Sequence, residues 1–158
     1  MRNIFYGKIQ EIIKKDSRYK SDAYEFMMQA LWFTQRKFKK KGHVSGRELL
    51  GGIRIYALDI YGPMARTVFA HWGVTETADF GNIVFNMIEQ GLLNKTSEDS
   101  LDDFKDVYDF SDAFDAFKDF SLHRPAFGQK NKAAIKSQKT SPVKPALLKP
   151  NLAQKNFN

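Results

Sequence analysis

Along most of the chain, apolar residues recur at intervals of three and four, the spacing that gathers them on one side of a helix. Phe5, Ile9, Ile12 and Ile13 mark a first short helix, which the polar stretch "KKDSRYKSD" interrupts. Asp22 with Glu25 three residues later predicts a capping box, in which a side chain at the helix entry and a later carboxylate satisfy free N–H groups reciprocally. The helix it opens is apolar on nearly every side from Ala23 to Phe33, with Tyr24, Phe26, Met27, Met28, Leu31 and Trp32, a pattern that belongs in the middle of a core. It runs out through "QRKFKKKG", where basic residues suit the negative end of the helix dipole and Gly42 supplies a stop.

The same grammar repeats. Ser45 and Glu48 predict another capping box, Leu49, Ile53, Tyr56 and Ile60 share a face, and Gly62 ends that helix. Pro63 suits the first turn of a short helix with Met64, Val68, Phe69 and Trp72 inward and Gly73 at its end. Thr77 is the expected cap of a fifth helix, with Phe80, Ile83, Val84, Met87 and Ile88 on one stripe and Gly91 after it. "LLNKTSEDSLDDFKDVYDF" then predicts a strand, an acidic loop and a returning strand, the wing of a winged helix. "FSDAFDAFKDF" sets Phe110, Phe114 and Phe117 against Asp112, Asp115 and Asp119, an amphipathic last helix packed on the domain.

After Leu122 the character changes. Four of the five prolines lie there (Pro125, Pro142, Pro145, Pro150), and large apolar groups are sparse. Such a segment buries too little apolar surface to offset its ordering entropy and is expected to be extended. The expected architecture is mainly α: a winged-helix-like helical domain over residues 3–121 with a small β-hairpin, followed by a basic extended C-terminal tail over 122–158.

Charge sharpens this division. The net charge of +7 is the sum of unlike parts. Residues 123–158 hold eight basic side chains (Arg124, Lys130, Lys132, Lys136, Lys139, Lys144, Lys149, Lys155) and no acid. Residues 1–54 carry 13 basic and 5 acidic groups, and residues 55–122 carry 4 and 13. The domain is thus nearly neutral and dipolar, and the tail supplies the excess.

The blocks "DSRYKSDAYEFMMQAL", "HVSGRELLGGIRIYALDIYGPMARTVFAHWGVTETADFGNIVFNMIEQGLL" and "DSLDDFKDVYDFSDAF" resemble, in order and spacing, successive blocks of the Minf-type family of conserved hypothetical bacterial proteins, over about residues 4–120. The resemblance implies kinship and brings no mechanism with it.

Function is therefore weighed on chemistry. The absence of Cys excludes disulfides, thiolate zinc sites and thiol nucleophiles and is compatible with a reducing cytoplasm. The first helix meets Lys8, Glu11, Lys14 and Lys15, which excludes a signal-peptide core and a membrane span. His43, His71 and His123 are scattered, His71 is expected to be packed or half-buried beside Trp72, and "LLGGIR" lacks the ending of a phosphate loop. Gly51 and Gly52 instead permit close helix packing. Nine carboxylates between Glu98 and Asp119 have no calcium-loop spacing and read as a wet face, with a contact for basic proteins as the functional alternative. No cofactor, metal or catalytic group is assigned.

The fifth helix carries no Lys or Arg between Ala78 and Gln90, and Glu98, Asp99, Asp102, Asp103 and Asp106 follow it, so its electrostatics are wrong for DNA. Asn82 and Asn86 are expected in solvent. The basic run Arg36, Lys37, Lys39, Lys40 and Lys41, with Arg47, is the strongest cationic cluster of the domain; a solvated helix end is its bland reading and a phosphate contact its functional one. Tail lysines spaced two to six apart suit an extended chain following phosphates. The expected function is non-catalytic binding to a large RNA or ribosomal particle through these residues, without a membrane. A protein–protein adaptor using the acidic Phe-rich surface and a winged-helix DNA-binding regulator are the alternatives.

Overall fold

The computed structural model describes residues 2–115 and 149–150. The tail cations Arg124, Lys130, Lys132, Lys136, Lys139, Lys144 and Lys155, and also Phe117, Asp119 and His123, lie outside the described residues.

The expectation of a mainly helical protein is met. In chain order the described elements are α1 (Arg2–Lys15), α2 (Ser21–Lys37), α3 (Gly46–Tyr61), a 3-10 turn (Gly62–Met64), α4 (Ala65–His71), α5 (Thr77–Glu89), β1 (Leu93–Asn94), a second 3-10 turn (Leu101–Phe104), α6 (Phe110–Phe114) and β2 (Lys149–Pro150). No described helix is long and apolar enough to cross a membrane.

α2 is the central helix, as its all-round apolar surface predicts. Tyr24, Met27, Ala30, Leu31 and Thr34 are fully buried. α3 packs along it, and the approach is close because residue 52 has no side chain: a Cβ there would lie 1.8 Å from Thr34 Oγ1. Thr34 itself is satisfied within α2, donating to Ala30 O at 2.7 Å. An aromatic cluster fills the space between α2, α4, α5 and α6. Phe69 is its hub, with the rings of Phe26, Phe80 and Phe114 each at a centroid distance of 5.2 Å and those of Trp72 and Phe110 at 5.9 Å. Edge-on and tilted contacts of this kind stabilise beyond the area they bury. Phe110 and Phe114 anchor α6 as expected, with Asp112 outward.

The helix ends show where local signals were right and where tertiary contacts replaced them. The Ser45–Glu48 capping box is formed. The Asp22–Glu25 box is not: α2 starts two residues earlier, after Lys20, without a side-chain cap, and Asp22 sits in its first turn. α5 is capped by Glu76 with Asp79, not by Thr77. Thr77 is buried instead and its hydroxyl accepts from Val107 N–H at 3.3 Å, so tertiary satisfaction took the group from its local role. Gly73 follows α4 at φ +86°, and a Cβ there would meet Arg18 O at 2.2 Å, so both conformation and contact require glycine.

The predicted hairpin is not formed. β1 has the expected position, yet residues 95–109 contain no returning strand. Asp99 turns back to accept from Thr96 N–H at 2.6 Å and Thr96 Oγ1 at 2.9 Å, and Leu101–Phe104 then winds into the second 3-10 turn. The reason is Phe104, only 1% exposed, which drives into a slot between Gly46 of α3 and Gly81 of α5 and pulls the segment onto the helices. β1 pairs instead with β2 in antiparallel register, Leu93 opposite Pro150 and Asn94 opposite Lys149.

Several residues expected in the core are exposed: Trp32 (45%), Ile60 (46%) and Met64 (56%). Their helices are wider in apolar content than the surface available to cover them. His71 is likewise exposed, with Nε2 3.1 Å from Lys20 Nζ, because Trp72 alone turns inward.

Candidate nucleic-acid interface

The last turn of α2 carries Arg36 and Lys37, cations that suit the partial negative charge of the carbonyl end. The helix stops there, five residues before Gly42, through a Schellman closure. Lys39 N–H donates to Arg36 O at 3.3 Å and Lys40 N–H to Gln35 O at 2.8 Å, while Lys39 occupies the left-handed region at φ 52° that ordinarily favours glycine. Gln35 Nε2 donates to Gly42 O at 2.8 Å and pins the following loop. The reversal brings Lys40 to the start of α3, where its ammonium lies 2.9 Å from Glu48 Oε1. Glu48 also accepts from Ser45 N–H at 2.9 Å. Burial pushes its carboxyl up, but the hydrogen bonds from Ser45 and Lys40 outweigh this and hold it below its ordinary range.

The structure therefore divides the six predicted cations. Lys40 is half-buried and neutralised by Glu48. Arg36, Lys37, Lys39, Lys41 and Arg47 are exposed, with no ion pair or side-chain hydrogen bond among the described residues. Three other cations of the domain are occupied, Lys14 by Glu11 at 2.7 Å, Arg18 by Asp16 at 2.8 Å and Lys105 by Asp102 at 2.5 Å, whereas Lys8, Lys15 and Arg66 are, like the turn cations, without an ion pair among the described residues. Asp103 also lies by the start of α3, with its Cβ beside Gly46, and its carboxylate accepts from Ser100 N–H at 3.2 Å. Among the described residues, the turn between α2 and α3 presents a cluster of cations without ion pairs on a hydrogen-bonded frame.

Sequence reasoning missed two members of this surface. Trp32 and Phe38 are 45% and 43% exposed, and Trp32 lies one turn before Arg36 on the outer side of α2. The available signal was position: an apolar residue four places from an arginine at a helix end shares the arginine's face.

The outer side of α5 holds no such surface. Asn82 Nδ2 donates to Tyr19 Oη at 3.0 Å, Asn86 Nδ2 donates to Asp16 Oδ2 at 2.9 Å, and Tyr19 Oη donates to Asp79 Oδ1 at 2.6 Å. The polar residues expected in solvent instead tie α5 to the link between α1 and α2. Arg18 first, and Asn86 with it, hold the Asp16 carboxyl well below the usual carboxylate range, whereas burial and the Asp79 carboxylate push the Tyr19 hydroxyl up.

On another side, an open groove of about 560 Å³ runs between the start of α5 and residues 105–110. Glu76, Asp106 and Asp109 line it with Lys105, which Asp102 neutralises. Among the described residues no three His, Asp or Glu side chains gather as a metal site.

The described residues thus form a mainly helical domain with a cationic turn and an acidic groove. Comparison with protein-family models, with curated proteins and with solved structures finds no match.

Proposed function

We propose that the protein is a non-catalytic RNA-binding accessory protein of the cytoplasm, associated with ribosomal particles. The observation that carries this reading is the set of five cations, Arg36, Lys37, Lys39, Lys41 and Arg47, that have no ion pair among the described residues, on a turn where Glu48 is already paired with Lys40. Phosphate backbones reward such a surface by releasing counterions. The eight tail cations extend the same chemistry in sequence, and a particle rich in folded RNA accommodates both elements at once. Kinship with the Minf-type family belongs to the same proposal and adds no chemistry to it. A winged-helix regulator reading DNA through α5 is disfavoured, since Asn82 and Asn86 would first have to leave Tyr19 and Asp16. The carboxylates of the groove beside α5 favour, as a second reading, an adaptor that holds a basic protein.

Salt separates the two. Binding to a ribosomal RNA fragment is expected to weaken linearly on a log–log plot against salt, by roughly 0.7–0.9 log units per phosphate neutralised. Changing Arg36, Lys37, Lys39, Lys41 and Arg47 to Gln in the full chain should flatten that line. Changing the tail cations to Gln should flatten it further. An unflattened line in both variants, or migration as a small free protein in lysate gradients at every salt and after nuclease, would overturn the RNA reading.

A further inference from the structure

We infer that the α2 terminus is a docking site for single-stranded RNA, with Trp32 and Phe38 as platforms on which unpaired bases stack and Arg36, Lys37 and Lys39 as the phosphate contacts beside them. The inference rests on the RNA reading above and narrows it from RNA in general to unpaired segments.

Tyr6, Trp32 and Phe38 are the large aromatic residues substantially exposed among the described residues, at 36%, 45% and 43%. Six other rings, those of Tyr56, Tyr61, Trp72, Phe80, Phe110 and Phe114, by contrast crowd around Phe69 and Phe26. Two of those three lie within seven residues of one another, and the same seven residues hold Arg36 and Lys37. Exposed Trp and Phe rings keep unfavourable contact with water, a cost that an occupant would remove. The occupant has to be anionic to suit the flanking cations and flat-faced to suit the rings. A single strand offers both in alternation, phosphate and base, whereas a duplex hides its base faces in the stack.

Geometry supports the pairing of roles. Trp32 and Arg36 are separated by one helical turn, about 6 Å along the axis, close to the reach from a base to its own or the next phosphate. Phe38 closes the helix just beyond, followed by Lys39 in the left-handed conformation. A side chain with a Cβ is disfavoured there, so the lysine is held at a site where glycine would relieve the backbone. The frame is fixed by the Gln35–Gly42 and Lys40–Glu48 contacts, so platform and cations are positioned before the strand arrives.

The chain has two tryptophans, and Trp72 is 8% exposed, so quenching of the exposed fraction of tryptophan fluorescence reports on Trp32. The full chain is titrated with a 15-nucleotide oligouridylate and with a 15-base-pair RNA duplex at equal salt. The expected result is quenching of the wild-type protein by the single strand and, with the affinity of every variant read by filter binding of end-labelled RNA, Trp32→Ala and Phe38→Ala each weakening single-strand binding roughly ten-fold or more and leaving duplex binding and the salt slope unchanged. Trp32→Phe should restore most of the loss. Single-strand affinity unchanged in both alanine variants, with RNA still bound through the cations, overturns the stacking site and leaves the RNA reading standing. Wild-type protein that binds neither RNA at low salt overturns both. Because both rings are exposed, the alanine variants should retain the wild-type thermal midpoint, and a circular-dichroism melt checks this.

Discussion

Replacing Phe104 by Ala tests the largest departure of the fold from its sequence pattern, the packed turn that stands where a hairpin was expected. The ring is buried to 1% and its edge reaches within 2.9 Å of where a Cβ on Gly46 would lie. Losing a buried phenyl group costs about 3–5 kcal/mol, from transfer and from the cavity left between α3 and α5. Gly46→Ala in the wild type should cost about 1–3 kcal/mol, because the added methyl meets Phe104 Cε2 at 2.9 Å and Cζ at 3.0 Å. In the Phe104→Ala background those two atoms are gone and the next contact is Asp103 Cβ, at 3.1 Å. There the same substitution should be neutral or should stabilise by up to about 1 kcal/mol, since alanine restricts the unfolded chain more than glycine does. The double mutant is therefore more stable than the two single costs added together, by about 1–3 kcal/mol or more. Urea unfolding of the four full-length proteins, followed by fluorescence, measures this if the slopes against denaturant agree. Equal costs of Gly46→Ala in both backgrounds would refute the packing argument, and a Phe104→Ala cost under about 1 kcal/mol would mean that residues 101–104 stand away from the helices.

Further outcomes follow from other contacts. Lys39→Gly should stabilise the fold by about 1 kcal/mol by relieving φ 52°, while weakening RNA binding through the lost charge; chemical denaturation and a filter-binding assay read the two effects separately. Gly52→Ala should destabilise by about 3 kcal/mol, because the methyl lands on Thr34 Oγ1 and separates α2 from α3, and a thermal melt near wild type would contradict it. Asp79→Ala removes the acceptor of Tyr19 Oη and of the N–H groups of Thr75 and Glu76, and should cost about 2 kcal/mol in urea unfolding. Asp16→Asn should lose its deficit in acid. The folded carboxyl titrates below its unfolded value of about 4, so its stabilisation is complete above that pH and drains as pH falls through the folded value. Wild-type and variant stabilities that stay equally far apart from pH 7 to pH 3 would count against the Arg18–Asp16–Asn86 network.

Much of the scaffold was legible without coordinates because it depends on short-range periodicity. Helical spacing places Ile9, Ile12, Leu49, Ile53, Phe80 and Met87 inward, and all are buried. The Ser45–Glu48 box is a contact over three residues, so its local grammar suffices. The cationic cluster is also visible as composition, since charge adds along the chain whatever the fold.

What needed the tertiary structure were choices between groups distant in sequence. Thr77 had a local role as a cap and was taken by Val107, thirty residues away. The acidic segment had the turn formers of a hairpin and was captured by Phe104 against Gly46 and Gly81. Asn82 and Asn86 carried the periodicity of solvent positions and were claimed by Tyr19 and Asp16, over sixty or more residues. The site shows the same division. Sequence alone determined that residues 36–47 are cationic, but it could not say that Glu48 spends itself on Lys40 and leaves five charges over, or that Trp32 faces out beside them. Propensity and charge are properties of neighbours along the chain; which partner satisfies a polar group, and which apolar face finds no cover, is settled only when distant segments compete for the same surface.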